Sequence, residues 1–181
     1  MTFTNPAGDA VNAAAAYTKA LLDILGDRDP LEVLRSTPAR LREAATTVDD
    51  ARLRRAEGPG KWSMLQVAQH LADSELVCAW RYRLAVAQDG APITPYDQDI
   101  WMANLWHGDE RLDDVLAQFE CARAANLRLL SRLTPQEWQH AGLHAERGRE
   151  TVRHQATLAA GHDLVHLRQI ERVRAGVAGS A

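Results

Sequence analysis

Apolar residues recur at steps of three and four through most of this chain, the repeat of helices that hide one face. From about Asp9 to Leu25 an alanine-rich stretch sets Val11, Tyr17, Leu21, Leu22 and Leu25 at that spacing, and Gly26 to Pro30 ends it. Leu31, Leu34, Pro38, Leu41, Ala45 and Val48 make the next stripe, a seam of bundle type. Within it, Thr37-Pro38 has the form of an N-cap followed by proline at the first helical position, so a break or restart is expected there. After the turn Gly58-Pro59-Gly60, Ser63 and Gln66 stand at capping-box spacing and open a helix expected to reach about Gln88. Its inner face reads Leu65, Ala68, Leu71, Ala72, Leu76, Ala79 and Leu84. A further helix spans about Arg111 to Leu133, with Leu112, Val115, Leu116, Phe119, Leu127, Leu130 and Leu133 facing in. Thr134 to Glu137 reads as a second capping box, opening a short turn around Trp138. The last helix is expected from about Thr151 to Arg174, followed by a frayed tail from Gly176 to Ala181.

Two connections carry the rest. Residues 90–109 hold Pro92, Pro95, Tyr96, Trp101 and Trp106, too aromatic for a spacer, and are placed to cover a site. Residues 140–150 read as a polar loop. No segment alternates with period two for long enough to be a strand. The pattern therefore predicts an all-α fold, an antiparallel four-helix bundle, as one domain with its core at about 17–174. The two N-terminal pieces are read as together forming or extending the first helix, the earlier piece being an extra short N-terminal helix.

Composition narrows the class without changing that picture. The 181 residues carry a net charge of −3 with no basic cluster, which argues against nucleic acid as a partner. Apolar runs are too short to span a membrane, and the N-terminus shows no export leader. Two cysteines far apart, Cys78 and Cys121, suit buried reduced thiols and a cytoplasmic location.

The chemistry concentrates in the last helix. His162 and His166 are four residues apart, so a helix puts both imidazoles on one face, a turn apart, where they can share a metal. Gln169 falls on the same stripe. His70 sits on the apolar side of another helix and offers a third ligand, since bundle cores assemble such sites from facing helices. Three imidazoles leave a position open, the arrangement of a catalytic and not a closed structural site. Imidazole suits Zn, Ni, Fe, Co and Mn alike, so the ligands do not name the metal. His162-Asp163-x-x-His166 also invites comparison with the His-Glu-x-x-His helix of zinc peptidases, but the carboxylate is one methylene shorter. Asp163 is read instead as a group that orients the ligands or lies on the helix surface.

Pro59-Gly60-Lys61-Trp62-Ser63, His70-Leu71-Ala72-Asp73-x-Glu75 and Gly161-His162-Asp163-x-x-His166-x-x-Gln169-Ile170, in that order, resemble the DinB/YfiT-like superfamily. Tyr96-Asp97-x-Asp99-x-Trp101 and His144-x-Glu146-Arg147-Gly148 resemble one of its subfamilies, and the similarity runs from about Tyr17 to Arg172. The resemblance implies a four-helix bundle, usually a homodimer, with a divalent metal held by His70, His162 and His166. Its characterised members include transferases and isomerases that use bacillithiol, mycothiol or glutathione, and some are described as hydrolases.

Beside the ligands, Gln169, Asp163, His144, Glu146, Arg147 and Trp101 are the pocket candidates. Arg147 or Arg168 offers a fork for a substrate carboxylate, the alternative being that each is simply solvated, as most helix arginines are. The function expected is a metal-dependent, thiol-dependent S-transferase or isomerase acting on a small-molecule substrate with a low-molecular-weight thiol. A hydrolase using metal-bound water is the alternative, and a non-catalytic stress-response or ligand-binding bundle is the alternative of another class.

Overall fold

The computed structural model describes residues 10–175, with side chains from residue 14 onward. The predicted tail from Gly176 and the side chain of the stripe position Val11 lie outside what is described. In chain order the elements are α1 (Ala10–Leu25), α2 (Pro30–Thr46), the short α3 (Asp50–Arg54), α4 (Met64–Ala87), β1 (Ala91–Ile93), α5 (Gln98–Leu105) and α6 (Leu112–Leu130). A single 3-10 turn (Glu137–Gln139), β2 (Ala141–His144), β3 (Gly148–Thr151) and α7 (Val152–Ala175) complete it.

The long helices start where their caps dictate. Asp29 accepts the Leu31 N–H ahead of Pro30, whose missing N–H costs nothing at the first helical position. Ser63 and Gln66 exchange both capping-box bonds at the head of α4, and Thr134 and Glu137 do the same before the 3-10 turn.

α2, α4, α6 and α7 close a four-membered ring, α2 touching α6 and α7, and α4 touching the same two. α1 is a separate fifth helix packed on α7, so the two N-terminal pieces do not form one helix. At Gly161 of α7 a Cβ would overlap the Leu21 backbone of α1, so the absent side chain permits the close approach. The break expected at Thr37-Pro38 does not occur, since α2 runs through Pro38. Proline removes the donor that would bond the carbonyl four residues back, Leu34 O. That carbonyl accepts instead from Nη1 of Arg123 on α6, at 2.8 Å.

The all-α expectation needs one correction. β1, β2 and β3 form a small sheet in that order, β1 parallel to β2 and β2 antiparallel to β3. Strands of three or four residues are too short to display a period-two pattern. Gly148, at φ +74°, closes the β2–β3 hairpin in the left-handed region open to glycine. The sheet and α5 thus occupy the two stretches read as loops.

The core has two apolar clusters. One joins Leu41, Leu65, Leu71, Phe119 and Ile170; the other joins Leu34, Tyr82, Leu130, Val152 and Ala160. Between them in sequence, on all four bundle helices, lies a buried polar layer. Arg123 donates to Asp163 at 2.7 and 3.1 Å, to Glu75 at 2.8 Å and to the Leu34 carbonyl, while its guanidinium lies 4.7 Å from the Phe119 ring centre. Asn126 donates to the Glu75 carboxylate at 2.7 Å and accepts from Arg83 at 2.8 Å. Glu75 takes the inward place expected for Leu76, which is exposed at the surface.

Candidate metal centre

His70 comes from α4, about two turns past its cap, and His162 and His166 come from consecutive turns of α7. Because α4 and α7 pack together, the three rings meet: their ring centres lie 4.4 to 5.0 Å apart, each pair tilted edge to face. One nitrogen from each falls within 4.8 Å of the other two, a spacing that a single ion can span. His70 Nε2 and His162 Nε2 are 2.9 Å apart. His70 and His166 are buried; His162 is partly open.

The electrostatics keep these rings neutral. Burial, then the neighbouring histidines, holds His70 well below its ordinary value; burial, then His166 and Arg123, does the same for His162. Burial lowers His166 to about 4, with the hydrogen bond to Gln169 opposing. A neutral imidazole has a lone pair to give, which is what a metal requires. At His166 the tautomer is set as well: Nδ1 donates to Gln169 Oε1 at 3.0 Å, leaving the Nε2 lone pair for the cluster. The donor set and its protonation fit a divalent cation.

Trp62 walls the site, its ring 5.0 Å from His70. Ser74 Oγ is 3.5 Å from His70 Nε2 and 2.6 Å from the Tyr96 hydroxyl. Burial pushes Tyr96 up to about 12, so it remains a phenol. Trp101 packs against Tyr96 at 4.9 Å between ring centres. The stretch after β1 does reach the site edge, through Tyr96 itself; Trp101 supports that tyrosine.

The remaining candidates divide. Gln169 touches His166 of the cluster. Asp163 does not: its carboxylate, pushed up by burial against the opposing pull of Arg123, is bound to that guanidinium. Arg147 spends its fork on Glu150, at 2.6 and 3.0 Å, and is not free to hold a substrate carboxylate; Arg168 is exposed. His144 is buried in β2, lowered to about 4 mainly by burial and then by Arg147. Its Nδ1 accepts from the Glu146 N–H at 3.2 Å; the Glu146 side chain is outside, on the exposed hairpin tip. Cys121 is exposed on α6, which corrects the expectation of two buried thiols, and burial pushes Cys78 up to about 12, far from a ready nucleophile.

Residues 34–170 match the family model described as the DinB superfamily. The chain belongs to that superfamily. Among relatives of this DinB chain is YfiT of Bacillus subtilis, provisionally named a metal-dependent hydrolase, 25% identical over 78% of this chain and 82% of its own length. A protein of Oceanobacillus iheyensis with the same provisional name is 27% identical over 74% of this chain and 77% of its own. The solved YfiT structure, described as a four-helix bundle of unusual topology, superposes with a TM-score of 0.75 at 22% identity, covering 98% of this chain and 95% of that one. The DinB fold of this chain is thereby established as a helical bundle.

The polar layer escaped the sequence reading. Arg123 stands four residues past Phe119 and three before Asn126, on the same inner stripe, and that spacing was the available signal.

Proposed function

We propose that this DinB protein is a metal-dependent hydrolase whose ion is held by His70, His162 and His166. The observation that carries the reading is the convergence of three imidazoles kept neutral by burial. The provisional names of the relatives lean the same way. Thiol transfer, the expectation placed first on sequence, has no counterpart in those names, and hydrolysis takes its place.

A divalent ion bound there would supply Lewis-acid polarisation of a carbonyl group or a water molecule. The chain's own part is positional. Gln169 fixes the His166 ring by holding its Nδ1 proton. The partly open side of His162 is the side from which a substrate reaches the cluster. Ser74 and Tyr96 present neutral hydroxyls beside His70, suited to donate a hydrogen bond to an oxygen that gains charge. Glu75 and Asp163 are both engaged by Arg123, so neither is free to act as a base.

Elemental analysis of the purified protein after loading with individual divalent metals tests the site. Wild type should hold close to one ion per chain, and His70→Ala, His162→Ala and His166→Ala should each lose most of it while keeping the helical circular dichroism. Turnover of a model ester or amide should follow metal content and be indifferent to added thiols. Product that appears only with a thiol would restore transfer as the reaction.

A further inference from the structure

Arg81 lies on the α4 stripe that carries His70 and Ser74, eleven residues and about 16 Å beyond His70 along the axis. It is half-buried, and among the described residues it has no carboxylate partner. Its Nη2 donates to the Thr94 carbonyl at 3.1 Å, while the buried Nε has no partner among the described residues. Burial lowers its pKa, with Arg147 adding to that and the more distant Glu150 carboxylate opposing it, so the charge is held at a cost that no ion pair offsets. Its neighbour Arg147 is already neutralised by Glu150. The guanidinium carbon of Arg81 stands 5.9 Å from the centre of the Tyr96 ring, and the Tyr96 hydroxyl reaches Ser74 beside the histidines. Arg81, Tyr96, Ser74 and His70 therefore form one continuous row.

We propose that Arg81 is the specificity residue of the site, binding the carboxylate end of an elongated monoanionic substrate whose reacting group lies at the three histidines. The inference rests on the hydrolase reading for what happens at the histidine end. A single guanidinium without an ion-pair partner calls for one negative charge, and a planar fork with a donor still unspent matches a carboxylate. Tyr96, between the two ends, offers the ring against which the intervening chain would lie.

The probe is a set of ω-carboxyalkyl hydroxamates of graded length and their methyl esters, titrated calorimetrically into metal-loaded protein. The hydroxamate engages the ion and the tail reports on Arg81. At one length the acid should bind about tenfold or more tighter than its ester, the range of a hydrogen bond to a charged group. Arg81→Gln should abolish that preference, leaving ester affinity and bound metal unchanged; Arg81→Lys should restore part of it. Equal binding of acid and ester at every length, or a preference that survives Arg81→Gln, overturns the proposal. If no hydroxamate binds, the metal reading fails instead, and Arg81 is read by itself through its Nε–Hε nuclear magnetic resonance signal as glutarate is added to metal-free protein. A saturable shift then upholds the anion site, and a flat response overturns it.

Discussion

Gln169 shows how much one amide can decide. By accepting the Nδ1 proton of His166 at 3.0 Å it selects the tautomer and fixes the ring, so that the other nitrogen is presented to its neighbours. Gln169→Leu should lower metal affinity by about 10–100-fold without unfolding the protein, read as the concentration of competing chelator needed to strip the ion. At this scale the histidine cluster was legible in the sequence: a four-residue step on one helix and a histidine on the apolar side of another pointed to His70, His162 and His166. The partners of other side chains were not. Asp163 follows His162 directly, yet the helix turns by about 100° per residue, and its carboxylate faces Arg123 and not the histidines. Arg147 looked free because Glu150, its partner, lies three residues on in a hairpin that the sequence did not disclose.

Between elements, the layer around Arg123 joins α2, α4, α6 and α7 in one set of bonds. Removing one member leaves charge buried and unpaired. Arg123→Met should therefore destabilise the metal-free protein by about 3–5 kcal/mol in urea unfolding. Combining it with Glu75→Gln and Asp163→Asn should recover part of that loss, because the orphaned carboxylates are then gone. The element boundaries of the long helices were readable from caps and stripes, Ser63 and Gln66 above all. The tertiary detail was harder: an inward arginine or glutamate obeys the same spacing as a leucine, and periodicity alone cannot say that Glu75 and not Leu76 turns inward.

For the whole molecule, the buried histidines link folding to acidity. His166, lowered to about 4, and His70 and His162, held well below the ordinary value, all bind protons more weakly in the folded chain than in the unfolded one. The unfolded state thus takes up protons first as pH falls. The share that these histidines give to the stability of the metal-free protein should be complete above about pH 6.5 and decline as pH falls, the His166 part, on the order of 3 kcal/mol, being lost by about pH 4. Urea midpoints across that range check the slope, and protons should displace a bound ion over the same interval. The small sheet, which no alternation announced, belongs to this scale too, since β1 and β2 meet from distant parts of the chain. A last consequence concerns time. The Leu34 carbonyl, left without a donor by Pro38, is satisfied from α6, so α2 cannot complete its own bonding before α6 arrives. The two helices are separated by much of the chain, and the middle of α2 should consolidate late on the folding pathway, as an element that waits for its partner.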